Sequence, residues 1–336
     1  MKKKNTIIIK YIFLLLIFQS YILGFFLREN LAGGAEQDFN SFTWPLILAF
    51  KENFLGTLRN YWSFGEGSTP MFHILNSYLN PFIYNQLAFQ GSITLLSFLN
   101  VIFFSQIIKT KFKLNNLDSY LYASIFLILP FFRSSAYWGL TENLGWLFLI
   151  LSIKYFIKYS DGKNNILNVF LICFFSSLAL YTRPYLIFFP IFIILNSMLD
   201  KEYYLLKYSS FFYLLLSIPG FVLLYVWGGS IHLGVGEDKI NFIEGYHHPK
   251  FILKNLVVFV SIFLFYFIPI EILNFSKKIN LSTKSTIIFL SILCLLLILN
   301  FFNIFEYLNE IRLGGGAILK LNKIIFNDRL FFFLLF

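Results

Sequence analysis

Long runs of apolar residues alternate with short polar segments along most of this chain. A helix that crosses a bilayer needs about 20 apolar residues. The pattern predicts such helices near residues 7–27, 86–108, 117–134, 141–158, 164–181, 184–199, 208–228, 251–273 and 285–305. The sequence therefore predicts an all-α fold, a polytopic transmembrane helical bundle of about 9–10 spans in a single integral membrane domain, 1–336.

Both ends of the chain and one internal segment need separate interpretations. The run Ile7–Leu27 is long enough to span and no cleavage site follows it, so we expect a retained first helix rather than a signal peptide. The segment 69–85 is apolar but interrupted by prolines and polar residues, which indicates a re-entrant or interfacial piece. The last apolar run, Arg329–Phe336, is too short to cross a bilayer, so we expect a chain truncated at its C-terminus.

The basic residues predict the orientation of the bundle. With the N-terminus in the cytoplasm and the spans alternating, fifteen of the 27 Lys and Arg residues fall on the cytoplasmic side, where only five acidic residues offset them. The whole net charge of +10 then lies on one face, and the excess of Lys and Arg there agrees with the positive-inside rule. The pattern predicts a multi-pass integral membrane protein with its N-terminus in the cytoplasm and membrane lipids as its surroundings. The bias toward Lys, Asn, Ile and Phe is compatible with a bacterial plasma membrane.

Composition excludes several classes of protein. Hydrophobic residues make up 58% of the chain and charged residues 13%, whereas a soluble domain is about half apolar and a quarter charged. Membrane topology accounts for the positive charge, so we predict no nucleic-acid partner. Cys173 and Cys294 lie inside apolar runs, which indicates small buried side chains rather than a disulfide or a metal site.

The first predicted outer loop, 28–85, is long and irregular. Its acidic residues Glu36 and Asp38 precede Ser41–Leu58, where apolar residues recur at helical spacing. This spacing predicts a helix that lies on the membrane surface. Asp38 has two interpretations: a cap at the start of that helix, or a general base at the lipid–water boundary.

Three further candidates lie at predicted outer helix ends or turns. Thr69 belongs to a Ser-Thr-Pro turn. Glu142 follows Thr141 at the start of the fourth helix, where Thr141 can cap the helix and Glu142 can complement its dipole. Arg183 lies between two spans and needs a partner or an anion; it either extends to lipid headgroups or binds a phosphate.

The most polar outer stretch is the second predicted outer loop, 229–250. It contains Asp238, Lys239 and His247. The simpler interpretation is a solvated turn. The adjacent histidines do not have the spacing of convergent metal ligands, so no metal-binding residue is predicted.

In this order the elements resemble the GT-C superfamily, multi-span glycosyltransferases that use polyprenyl-phosphate-linked sugars. Those proteins have an acidic residue in the first outer loop and then a surface helix, as Asp38 and Ser41–Leu58 do. More narrowly, the chain is similar to the endoplasmic-reticulum family that adds the terminal α-1,2-linked glucose to the dolichol-linked oligosaccharide. The matching segments are Ser68-Thr69-Pro70, Leu140-Thr141-Glu142, Thr182-Arg183-Pro184 and Gly228-Gly229-Ser230 to Gly236-Glu237-Asp238-Lys239 with a following histidine.

The chain departs from that family at three positions. Phe39 follows Asp38 where the family has Glu, Phe42 stands where the family has His, and Pro184 stands where the family has Gln. These departures concern the sugar and its linkage more than the superfamily chemistry.

The resemblance implies a hexosyltransferase that moves glucose from a polyprenyl-phosphate sugar donor to a lipid-linked glycan acceptor, with inversion. It implies that Asp38 is the catalytic base and that Arg183 and Lys239 bind the donor phosphate. It also implies substrate-binding roles for Glu36, Thr69, Glu142, Asp238 and His247. It leaves a divalent metal ion open as a cofactor.

Two other classes of function stay open from the sequence. A transporter or flippase for a lipid-linked or anionic solute would need charged residues near the bilayer midplane, and the predicted spans contain few. The other alternative is a non-catalytic membrane partner or an inactive fragment. If later spans complete the site, this chain alone would be inactive.

Overall fold

The computed structural model describes residues 2–30, 34–64, 68–162, 165–227 and 270. Most of these residues are helical, and none of them forms a strand. The α-helices are α1 (Lys2–Phe26), α2 (Ala35–Asp38), α3 (Trp44–Glu52), α4 (Phe54–Arg59), α5 (Met71–Leu79), α6 (Gln86–Phe112), α7 (Asn116–Ala123), α8 (Pro130–Tyr137), α9 (Glu142–Ser160), α10 (Ile166–Thr182), α11 (Phe188–Leu199), α12 (Tyr203–Leu216) and α13 (Ile218–Val226).

Three helical stretches of the described chain are long and apolar enough to cross a membrane: Ile7–Phe26, Gln86–Phe112 and Tyr203–Val226. Helices α8 and α9 pass the same test together, although they meet at 117°, and would make a fourth span. The described chain also contains two shorter apolar helices, Ile166–Thr182 and Pro184–Leu199. Helices of this kind are compatible with an integral membrane protein, and the predicted helices at 7–27, 86–108, 141–158 and 164–181 are confirmed.

The predicted span 117–134 is wrong as a single helix. The segment forms α7, a short 3-10 turn at Ser124–Leu127 and then α8. Leu129 is extended (φ −68°, ψ 124°) and Pro130 begins α8. Proline has no backbone N–H and disfavours a helical residue before it, so the chain breaks at this point.

The predicted surface helix Ser41–Leu58 is also wrong as one continuous helix. A π-helical turn, Phe39–Thr43, continues α2 into α3. Helix α3 ends at Glu52. The next residue, Asn53, is not helical (φ −145°, ψ 88°), and its side chain accepts a hydrogen bond from the Gly56 N–H at 2.9 Å, so it caps a second helix, α4. One side of α3 is buried in the protein, through Leu46, Ile47 and Phe50.

Smaller corrections concern three predicted segments. The segment 69–85 contains α5 followed by a turn. The predicted helix 184–199 begins with a 3-10 turn, Pro184–Ile187, because Pro184 opens it. The predicted span 208–228 begins earlier, at Tyr203, and is interrupted at Ser217. Apart from Ile270, which is helical and buried, the predicted spans 251–273 and 285–305 lie outside the described residues.

Beside smaller apolar clusters around Tyr61 and Leu121, the described core has two large apolar clusters, which α9 joins. The first gathers α1, α3, α6 and α8, and the second gathers α9 to α12. Their largest fully buried members include Tyr21, Phe39, Phe72, Phe89 and Leu149. Because α9 packs on both α6 and α10, it connects the two halves.

Helix α6 buries a polar stripe inside its apolar sequence. Gln90, Thr94, Ser97 and Asn100 are all buried, and their spacing places them on one helix face. Ser97 Oγ donates to Asn143 Oδ1 at 2.8 Å and Asn100 Nδ2 donates to the Asn143 carbonyl at 3.0 Å. The stripe therefore fixes α6 against the start of α9, since polar groups inside apolar spans need partners within the protein.

Tyr181 of α10 forms hydrogen bonds with the backbone at the junction between α12 and α13. The Tyr181 hydroxyl donates to the Leu216 carbonyl at 2.7 Å and accepts from the Gly220 N–H at 3.0 Å. In an uninterrupted helix those two backbone groups would bond to each other. Pro219 lies between them, where an interruption is expected.

Substitution of Gly139 by Ala should lower the thermal unfolding midpoint of the detergent-solubilised protein. Gly139 is in the left-handed region (φ 64°), and an added Cβ would lie 2.9 Å from the buried Phe89 ring. We expect a cost of about 1–2 kcal/mol for the backbone conformation and a further ~1–3 kcal/mol for overpacking.

Gly162→Ala is the matched control for that substitution. Gly162 also has a positive φ (90°), but nothing lies within 4 Å of its Cβ position. Its midpoint should fall less. Equal shifts in the two variants would contradict the close packing of the α8–α9 turn.

Candidate functional site

The candidate site lies at one end of the bundle, where α1 and α10 end and α6 and α9 begin. Glu142 and Arg183, both predicted from the sequence, form an ion pair there between Oε1 and Nη2. Ser135 Oγ donates to Glu142 Oε2 at 2.7 Å. The Arg183 and Glu142 side chains are 21% and 26% exposed, so the pair borders solvent without being surrounded by it.

The geometry at the start of α9 bears on two interpretations left open by the sequence. Arg183 has a carboxylate partner in the protein, so extension to headgroups is not its only stabilisation. Thr141 occupies the cap position of α9 but makes no side-chain capping bond, so its capping role is wrong. Glu142 lies in the first turn of α9, where a negative charge complements the helix dipole.

Close helix packing holds Arg183 near Glu142. A Cβ built on Gly145, one turn into α9, would lie 3.5 Å from Arg183 Cγ and 3.3 Å from Leu186 Cδ1. The absence of a side chain at this position therefore lets the end of α10 approach α9. The Thr69 hydroxyl donates to the Tyr181 carbonyl, two residues before Arg183, and so fastens the predicted Ser-Thr-Pro turn to the same place.

Two buried polar atoms at this site have no hydrogen-bond partner within the described chain. They are Arg183 Nε and Thr141 Oγ1. A buried donor or acceptor without a partner costs about 1–3 kcal/mol. The site therefore retains hydrogen-bonding capacity that a polar or anionic ligand would satisfy.

Glu36 and Asp38 lie on α2, a neighbouring segment, and both side chains are exposed. Asp38 is helical (φ −60°, ψ −39°) within continuous helix and makes no capping bond, so its interpretation as a helix cap is wrong. The next residue, Phe39, is buried against Phe89, with ring centroids 6.1 Å apart. Its ring also lies 3.5 Å from the Cβ position of Gly139, so α2 borders the turn that leads to Glu142.

The remaining predicted site residues fall where the structure gives no account. Asp238, Lys239 and His247, together with the loop 229–250, lie outside the described residues. Their predicted roles therefore stay predictions.

The sequence interpretation missed a second ion pair, between Arg133 on α8 and Glu29 beyond α1. Arg133 is 6% exposed, and its Nη2 lies 2.9 Å from Glu29 Oε2 and donates to the Ser20 carbonyl at 2.9 Å. A Cβ on Gly24 would lie 2.5 Å from that Nη2. The available signal was a charged residue at the end of a predicted apolar span, which requires an internal partner.

Arg28 ends α1 in an unusual backbone conformation. The Arg28 N–H donates to Phe25 and the Glu29 N–H donates to Gly24, at 3.1 and 3.0 Å, which is the Schellman arrangement with Arg28 at the position that glycine prefers. Its φ is 55°, a conformation that costs a side-chain-bearing residue about 1–2 kcal/mol.

The Arg28 side chain is held from two sides. Its Nη1 donates to Gln90 Oε1 at 3.2 Å, and its guanidinium carbon lies 4.5 Å from the centroid of the Trp138 ring. A hydrogen bond and an exposed cation–π contact together contribute roughly 1–2.5 kcal/mol, which approximately offsets the backbone cost.

The tryptophans at this end of the bundle are engaged inside the protein. Trp138 is 2% exposed and its Nε1 donates to the Glu29 carbonyl at 3.1 Å. Trp62 and Trp227 pack edge to face with ring centroids 4.7 Å apart. These rings therefore contribute packing within this part of the fold.

No protein-family model, curated protein or solved structure matches this chain.

A double-mutant cycle on Glu142→Gln and Arg183→Gln should reveal strong coupling in the free energy of unfolding. Each single change leaves one partly buried charge without its partner, so it should destabilise more than the double change does. We expect a coupling energy of about 1–3 kcal/mol, measured by denaturation in detergent.

Lys10 and Asp118 supply the control pair for activity. They are 2.7 Å apart, comparably buried, and lie near the opposite end of α1. Their cycle should show coupling in stability without any effect on function. Additive Glu142 and Arg183 effects would contradict the ion pair.

Proposed function

We propose that this protein is a membrane glycosyltransferase that transfers a hexose, glucose by resemblance, from a polyprenyl-phosphate donor to a lipid-linked glycan or another extracytoplasmic acceptor. The observation that supports the proposal best is Arg183: a guanidinium held by Glu142 at the end of two apolar helices, with a buried donor still to be satisfied. A planar guanidinium matches the oxygens of a phosphate group.

Arg183 binds the donor phosphate as the bond between sugar and phosphate breaks. Negative charge grows on the leaving oxygen in that step, and a fixed cation in a poorly hydrated site stabilises it. Glu142 holds one Nη group of Arg183, so the other side of the guanidinium is oriented toward the ligand. Lys239 supplies a second positive charge to the phosphate.

Asp38 accepts the proton of the acceptor hydroxyl as its oxygen attacks the anomeric carbon. One bond to that carbon forms while the bond to the phosphate oxygen breaks on the opposite face, so a single displacement inverts the configuration. The exposed position of Asp38 on α2 suits a base that meets an acceptor arriving from outside the bundle.

The geometry refines the roles of the other residues. Glu142 is bonded to Arg183 and Ser135, and the Thr69 hydroxyl is bonded to the α10 backbone, so both act by positioning Arg183. Glu36, Asp238 and His247 keep the proposed role of orienting sugar hydroxyls. A divalent metal ion stays open as a cofactor of the donor phosphate.

A second candidate is a transporter or flippase for a lipid-linked or anionic solute. The buried polar stripe of α6 favours it, since polar residues inside spans often line solute pathways. However, Thr94, Ser97 and Asn100 donate hydrogen bonds to Ala136 and Asn143. These contacts give the stripe a structural role, which makes the enzyme the better supported function.

Asp38→Asn should abolish sugar transfer by the purified protein in nanodiscs, assayed with a panel of polyprenyl-phosphate sugars. Loss of a general base lowers turnover by roughly 10²–10⁴-fold. Asp161→Asn is the control, because Asp161 is an exposed carboxylate at the far end of α9.

Comparable turnover in Asp38→Asn and wild type would contradict the assignment of the base. A folded wild type that transfers no sugar from any donor would contradict the enzyme itself. Vesicle assays of lipid-phosphate translocation would then test the transporter.

A further inference from the structure

Three residues other than glycine have a positive φ within the described chain: Arg28, Lys113 and Lys201. All three are basic and follow the C-terminus of a helix, where a positive charge interacts well with the helix dipole. Lys201 shares the Schellman arrangement of Arg28, with Lys201 N–H donating to Met198 and Glu202 N–H to Ser197. The helix dipole therefore explains why a basic residue occupies each of these positions. It does not explain the contacts of the Arg28 side chain with Gln90 and Trp138.

The surroundings of Arg28 resemble a built site. Gln90 is 1% exposed and its side-chain oxygen accepts from Arg28 Nη1. The buried Trp138 ring supports the guanidinium from one face. Arg28 itself is exposed, so the guanidinium is fixed in direction while donors remain open to solvent. A fixed guanidinium loses less freedom on binding than a mobile one does.

The neighbouring surface indicates what kind of anion fits. Phe26 and Leu27, immediately before Arg28, are 72% and 74% exposed. Arg28 thus marks the point where the apolar surface of α1, a candidate membrane span, meets a fixed positive charge. A molecule that matches both features has an anionic group joined to a hydrocarbon chain.

We propose that Arg28, Gln90 and Trp138 form a binding site for the phosphate group of an anionic lipid. The guanidinium donates to the phosphate oxygens, Gln90 and Trp138 hold it in place, and the hydrocarbon chain lies along Phe26 and Leu27. This site is separate from Arg183 and does not depend on the proposed glycosyltransferase activity. Its lipid is either a membrane phospholipid or a polyprenyl phosphate, which share the phosphate chemistry.

Lipid binding by the full chain tests the proposal directly. We would titrate the detergent-purified protein with phosphatidylglycerol and, separately, with a short-chain polyprenyl phosphate, and count bound molecules by native mass spectrometry. Arg28→Gly should weaken binding of at least one lipid by roughly tenfold or more, because it removes charge-assisted hydrogen bonds. Its fold should persist, since glycine suits the positive φ.

Lys201→Gly is the matched control, with the same backbone position and the same loss of charge. It should bind both lipids as wild type does. Weakening confined to the polyprenyl phosphate would assign the site to that lipid, and weakening of both would assign it to lipid phosphates in general.

Three results would overturn the proposal. The first is unchanged binding of both lipids by a folded Arg28→Gly, and the second is equal weakening by Lys201→Gly, which indicates attraction by net charge alone. Arg28→Asn guards against misfolding, because asparagine also tolerates positive φ. The third is failure of both Arg28 variants to fold, which would make Arg28 a structural clamp.

Discussion

The need to pair buried polar groups within the protein determines the way in which many of the described helices meet. Among helices with so much apolar surface, an unpaired polar group cannot rely on water, and leaving one unpaired is costly. Asn143 shows the consequence, since its side chain and backbone together bind residues from α6 and α8. Arg133 shows it again, because one side chain fastens α8 to both the body and the end of α1.

The α8–α9 turn places several of these paired residues at one end of the bundle. Gly139 permits the left-handed conformation of the turn, and the two helices meet at 117°. Arg133 and Ser135 lie on α8 before the turn, and Glu142 lies just after it. The same short segment therefore reaches α1 on one side and α10 on the other, which brings the Arg28 and Arg183 regions to one end of the bundle.

Much of the helical framework can be predicted from the sequence, because a run of about 20 apolar residues is long enough to cross a bilayer as a helix. Helices α1, α6, α9 and α10 could be predicted in this way. Hydropathy does not show where a helix is interrupted. Pro130 and Asn53 are the local signals of the two interruptions that the prediction missed. Helix α3 also packs against α5, a contact that no local pattern reveals.

The candidate site was only partly predictable for the same reason. Glu142 and Arg183 stood out as charges at helix ends, but they are 41 positions apart, and their pairing is a property of helix packing. Asp38 could be identified as a candidate, whereas its capping interpretation failed because α2 continues into α3. Arg28 carried no sequence signal, since its distinction is a backbone angle.

The conformation of the α12–α13 stretch depends on Tyr181, a residue outside that stretch. One backbone hydrogen bond of that stretch is completed by a hydroxyl that belongs to α10. The two segments consequently cannot be regarded as independent units of folding. If α10, whose end carries Arg183, were displaced, the interruption at Pro219 would have to move with it. Otherwise the Leu216 carbonyl and the Gly220 N–H would lose their hydrogen-bond partner. The shape of the α12–α13 stretch therefore depends on the position of α10.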